Sequence, residues 1–166
     1  MSTHLSAYAA LWFLPFVLPI ALWVAFSDMK WMKIQNKAVL ALAAVYLLVG
    51  FLALPMNLWL WGWLHLGVVL VIGFVFSLTG MIGAGDAKFT AAMAPFIALG
   101  DLSLFLPLLG AVALMALITH RIARRVPAVR RAAPDWESWQ RREFPMGLAL
   151  GPALLFYLII AAVYGG

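Results

Sequence analysis

The sequence predicts an all-α, polytopic integral membrane protein with about six transmembrane helices and its N-terminus outside. Three observations predict it. The 166-residue chain is 66% hydrophobic and only 10% charged, against roughly 25% charged in an average soluble domain, so it has too few polar side chains to cover a soluble surface. Its apolar residues run in long blocks rather than helical stripes. Every lysine and arginine falls in alternate connections between those blocks or, for Lys88, just after one. The length fits one domain, residues 1–166.

The first block, Leu5–Phe26, holds about 22 residues and as a helix reaches roughly 33 Å, enough to cross a bilayer. A secretory signal begins with a basic region. Here the first lysine, Lys30, follows the block, which is therefore read as a retained span. Further blocks run over Ala38–Leu54, Leu58–Leu78, Ala87–Leu99, Leu102–Thr119 and Met146–Tyr164. Each is expected to be helical, because lipid offers backbone groups no partner outside the segment. The fourth is short and contains Pro95. To span, it must begin before Ala87 or carry Asp86 into the membrane.

With the N-terminus outside, the connections after spans one, three and five face the cytoplasm. Together with Lys88 at the inner start of span four, they place all eleven lysines and arginines on that side, as the positive-inside rule requires. Residues 120–145 form a basic cytoplasmic loop that carries every arginine. Topology thus accounts for the net charge of +5, and no nucleic-acid partner is expected. A smaller share of the arginines' role falls to anionic lipid or a partner protein. Trp59, Trp61 and Trp63, with Trp31, Trp136 and Trp139, read as interfacial anchors. The chain has no cysteine, which removes disulfides, thiolate metal sites and cysteine nucleophiles. His4, His65 and His120 form no cluster with the acids, so neither a metal nor a cofactor is expected.

The chain has six acids. Asp101, Asp135, Glu137 and Glu143 read as solvated loop charges. Asp28 and Asp86 differ. Each sits at the inner end of a span, on the same side, and each is followed two residues later by lysine, Lys30 and Lys88. A carboxylate at a membrane boundary is costly and points to function. Two such groups brought together share one proton and titrate as a unit. The ionised member can take a proton from water while the protonated member polarises a scissile carbonyl, the logic of aspartic proteases. Gly83 and Gly85 precede Asp86, and glycine permits unusual backbone angles and close approach. A small transporter or channel using the two acids as cation or proton sites is a second reading. A non-catalytic membrane scaffold is a third.

The run Asp28-Met29-Lys30 through Ile34-Gln35-Asn36 resembles the first signature of type IV prepilin peptidases. Gly83-Ala84-Gly85-Asp86-Ala87-Lys88 is similar to their second, Gly-x-Gly-Asp-x-Lys. Pro145-Met146-Gly147 is similar to the Pro-x-Gly segment that opens their last span. The resemblance implies an aspartyl endopeptidase in the bacterial inner membrane, its active site facing the cytoplasm. It would cut the short basic leader from prepilin or pseudopilin precursors. Asp28 and Asp86 would be its catalytic pair, with Gly83, Gly85, Lys30, Lys88, Asn36, Pro145 and Gly147 in support. Gln35 stands where the family often has proline, and Met146 where it usually has an aromatic. The larger members carry a cysteine-bearing cytoplasmic region that accompanies N-methylation. Without it, this chain resembles the short, peptidase-only members that serve tight-adherence (Flp-type) pili, and methyltransfer is not expected.

Overall fold

The computed structural model describes residues 2–166. Among these residues the regular structure is helical, with one isolated bridge between Thr3 and Gly165 near the two termini. The helices are α1 (Ala7–Trp31), α2 (Asn36–Ala53), α3 (Met56–Leu78), α4 (Ala84–Met93), α5 (Leu102–Ala123), α6 (Pro127–Ala132) and α7 (Gly147–Tyr164). Four of these, α1, α2, α3 and α7, are long and apolar enough to cross a membrane. So is Leu99–Ala123, in which a 3-10 turn leads into α5.

The fourth apolar block folds unlike the others. Its helix begins at Ala84, ahead of Ala87, and ends at Met93 in a 3-10 turn, Ala94–Phe96. Pro95 supplies no N–H to continue the ladder. Ten residues of helix reach roughly 15 Å, about half the hydrocarbon thickness. This half-length helix is sheltered by α3, α2 and α7. Gly73 of α3 lets it come close, since a Cβ there would stand 3.1 Å from the Ala87 Cβ.

The centre of the bundle is the α1–α7 pair. Lipid tails are as apolar as leucine, so helices in a membrane associate through close packing, and small residues permit it. A Cβ on Gly151 would lie 2.7 Å from the Ala21 carbonyl oxygen. Ala10, Ala149, Ala153 and Ala161 are likewise buried. By contrast α3 leaves most of its leucines, valines and isoleucines exposed and α5 half of them, as helices facing lipid do.

Within α2 a π-turn, Tyr46–Gly50, interrupts the α-helical pattern. The Trp59 indole donates to the Tyr46 carbonyl at 3.3 Å, and the Tyr46 hydroxyl donates to the carbonyls of Leu58 and Trp59 at 3.3 and 3.1 Å. Trp59 and Trp63 thus pack against the core, and only Trp61 of the three is largely exposed. Trp139, another expected anchor, is buried between His120 and Trp136.

The alternating helices give the bundle two distinct ends. One gathers Asp28, Asp86, the lysines and the arginine segment. The other gathers Thr3, Asp101 and Tyr164. Asp101 departs from the solvated charge that its turn position suggests. It is 3% exposed. Its carboxylate accepts from the His4 and Leu5 amides at 2.8 and 3.1 Å and from the Tyr157 hydroxyl at 2.7 Å.

Candidate active site

The site is built from the ends of three helices. α1 carries Asp28 one turn before its C-terminus and stops at Met32, which adopts the left-handed conformation (φ 50°, ψ 40°). That conformation closes many helices, though seldom on a residue with a side chain. The Met32 amide donates to the Asp28 carbonyl at 2.8 Å, fixing the backbone around the acid.

α4 begins with Gly83 as its N-cap and Asp86 in its first turn. An acid at that third helical position reaches back toward the capping amide, and Asp86 makes a backbone hydrogen bond with Gly83. The glycine is needed for room rather than for unusual angles. Its φ and ψ are −67° and 143°, ordinary extended values, but a Cβ there would stand 2.8 Å from Asp86 Oδ2. The turn that does require glycine's freedom is at Gly80, with φ +75°. Gly85 sets the second loop against the first: a Cβ on it would touch the buried Ile34 at 3.4 Å.

The third contributor is the start of α7. The Gly147 amide donates to Asp28 Oδ2 at 2.7 Å. Helix N-termini present unpaired amides and partial positive charge, so a carboxylate is favoured there. A Cβ on Gly147 would lie 2.8 Å from the Asp28 Cβ and 3.0 Å from Val24 Cγ1. Pro145, two residues earlier, is buried.

Asp28 and Asp86 line one cavity of about 380 Å³, together with Gly83, Gly85, Lys33 and Glu143. Burial, and next the charge of Asp28, push the Asp86 carboxyl up to about 6, against a smaller downward pull from the Gly83 hydrogen bond. The other expected residues lie around this centre. The Lys88 ammonium donates to the Asn36 side-chain oxygen at 3.4 Å, tying the first loop to the second at an exposed position. The Lys30 ammonium lies 4.9 Å from the centre of the Trp31 ring and 5.9 Å from that of Phe26. Neither lysine lines the cavity.

Sequence reasoning missed Lys33, Arg141, Glu143 and Phe144 as cavity residues. Phe144 and Glu143 adjoin the Pro145–Gly147 motif, which was the available signal. Lys33 lies within the Asp28–Asn36 run, but Arg141 had no signal, because eleven basic residues share that end.

The architecture and the motif-bearing loops agree with an independent comparison. Among protein families, residues 15–120 match the type IV leader peptidase family. The matched segment contains both aspartates, the whole of α2, α3 and α4 and most of α1 and α5; the Pro145–Gly147 motif lies beyond it. Searches of curated proteins and of solved structures give no match. Since the match covers more than half of a helical, membrane-spanning chain, the protein belongs to the type IV leader peptidase family.

Proposed function

We propose that this leader peptidase is an aspartyl endopeptidase whose catalytic pair is Asp28 and Asp86. The observation that carries the reading is their shared cavity, open to the loops that bear the lysines and arginines. A carboxyl held protonated up to about 6 beside a second carboxylate is the arrangement a shared-proton pair requires.

In the proposed reaction Asp28, oriented by the Gly147 amide, accepts a proton from water as that water attacks the scissile carbonyl carbon. Asp86 gives its proton to the carbonyl oxygen. The gem-diol intermediate then collapses: Asp28 passes its proton to the leaving amine, the C–N bond breaks, and Asp86 recovers a proton from the diol. No group beyond the two acids and water enters this cycle.

The basic end is proposed to face the cytoplasm, because all eleven lysines and arginines gather there. The substrate is a prepilin-type precursor whose basic leader lies at this end and whose hydrophobic segment lies among the spans. The proposed precursors are of the Flp type, in keeping with the absence of a cysteine-bearing region between the first two spans. Residues 120–145 form the cytoplasmic loop of a single peptidase domain, 1–166, without methyltransfer. Gly83 and Gly147 keep space beside the carboxylates, Gly85 lets the second loop lie against Ile34, and Lys88 and Asn36 hold the two loops together.

The test is coexpression with a Flp-type prepilin, following pilin size on a gel. Wild-type protein shortens the precursor. Asp28→Asn and Asp86→Asn each abolish shortening while leaving the membrane protein folded. Undiminished processing by either variant removes the mechanism.

A further inference from the structure

The arginines of the 120–145 segment form a second concave feature, apart from the aspartates. Arg121, Arg124, Arg125 and Arg130 line a cavity of about 510 Å³ with Trp139 and Gln140. A neighbouring cavity of about 650 Å³ shares Arg124, Arg125 and Arg130 and adds Arg131. Three shared arginines make these one basic bowl. The fold builds it at a corner: α5 ends at Ala123, and Pro127 opens α6 in a new direction, so that Arg130 and Arg131 come to face Arg124 and Arg125.

The charges in the bowl are not neutralised from within. Among the described residues the one ion pair joins Arg141 to Glu137. Arg121 and Arg124 donate to the carbonyls of Arg142 and Arg141 at 3.0 and 2.9 Å. Arg125, Arg130 and Arg131 have neither kind of partner among the described residues. Charges that serve only to orient a membrane protein have no reason to converge, and like charges in one concavity repel. Convergent, unpaired guanidinium groups are the arrangement that binds phosphate.

The bowl's position selects the kind of phosphate. It sits at the polar end of a membrane-spanning helix. Met115, Ile118 and Ile122, at three- and four-residue spacing on one face of α5, are 61%, 43% and 58% exposed. Arg125 follows in the turn just past the end of this helix, its amide bonded to the Ile122 carbonyl at 2.9 Å. An acyl chain lying on that face therefore delivers its headgroup to the arginines.

We propose that the bowl binds the phosphate headgroup of an anionic phospholipid. The site also meets the candidate active site through its own wall. Arg121 and Arg124 hold the loop whose Arg141 and Glu143 line the aspartate cavity. Trp139 stacks on His120 and on Trp136, and Trp136 packs edge-on against Phe26 of α1. The lipid would thus brace the loop that closes one side of that cavity. The binding itself does not depend on the proposed chemistry.

The test uses the full chain in phosphatidylcholine nanodiscs containing a minor share of phosphatidylglycerol or cardiolipin. Native mass spectrometry and titration with labelled lipid read the preference for anionic lipid. The variant Arg125→Gln/Arg130→Gln/Arg131→Gln removes only side chains that hold no loop carbonyl. At about 1 kcal/mol for each basic residue near a membrane surface, it weakens the preference roughly a hundredfold. Arg125→Lys/Arg130→Lys/Arg131→Lys, which keeps the charge but loses the guanidinium fork, weakens it less. Lys30→Gln/Lys33→Gln/Lys37→Gln removes equal charge from the same end and leaves most of the preference intact. An unchanged preference in the arginine-to-glutamine variant, or equal losses in it and the lysine-to-glutamine variant, overturns the site. Displacement of the lipid by inorganic phosphate at matching concentration also overturns it, in favour of a general phosphate site.

Discussion

Each end of the bundle holds buried or half-buried carboxylates, and the two ends treat them in opposite ways. Asp101 is surrounded. Two amides and a tyrosine hydroxyl bond to its two oxygens, and that hydroxyl itself accepts from the Ala98 amide at 3.2 Å. Its bonds join the chain before α1 to the turn before α5 and to α7. Asp28 receives one amide, from Gly147, and Asp86 one backbone bond, from Gly83. An ionised carboxylate has about four acceptor positions, so these two keep most of theirs turned toward a shared cavity. If Asp28 and Asp86 are the reactive pair proposed above, burial alone does not separate a structural acid from a reactive one; the number of lone pairs the fold leaves open does.

The sharpest way to break the comparison is to neutralise each acid. Asp28→Asn and Asp86→Asn should abolish precursor cleavage, seen as loss of the shortened pilin band, with little change in thermal midpoint in detergent. A variant that keeps cleaving would place its acid with Asp101. Next comes Gly147→Ala, which crowds the Asp28 side chain. Displacing a reacting group by about 1 Å costs on the order of a hundredfold, so cleavage rate should fall by about that much while the folded yield holds.

Asp101→Ala should show the reverse pattern. It leaves three donors unpaired, each costing about 1 kcal/mol or more when buried, for a loss of about 3 kcal/mol. The thermal midpoint should drop, and cleavage per folded molecule should stay at the wild-type level. Unfolding and cleavage assays on the same preparation separate the two outcomes.

The smallest effect concerns pH. Asp86 holds its proton up to about 6, against an ordinary 3.8. Between those values the folded protein binds more protons than the unfolded chain. Stability from this group is therefore fully present below 3.8 and is lost as pH rises to about 6. The thermal midpoint of wild type should decline across this window relative to Asp86→Asn. Asp28→Asn, which removes the neighbouring charge, should move the decline to lower pH.

Much of this was legible in the sequence because lipid imposes simple rules. The spans could be marked from block length, and their alternation from the side on which Lys30, Lys88 and the arginines fall. Both aspartate loops and the Pro145–Gly147 segment could be marked as motifs. Asp101 could not be read, since nothing about an acid in a two-residue turn announces that His4, Leu5 and Tyr157 will converge on it. The half-length α4 was legible in part: the block is short and holds Pro95, and its start ahead of Ala87 was one of two options, while the neighbours that shelter it come only from the fold.

The sequence by itself determined the solvent, the helical class, the family and the identities of the two candidate acids, because these follow from side-chain chemistry and local order. Only the tertiary structure decided which lone pairs stay open, which arginines converge, and that Gly147 rather than Lys30 or Lys88 touches Asp28. The arginines meet across the corner between α5 and α6, and the aspartate site rests on close approach between segments far apart in the chain, where the absence of one Cβ decides whether two backbones can meet.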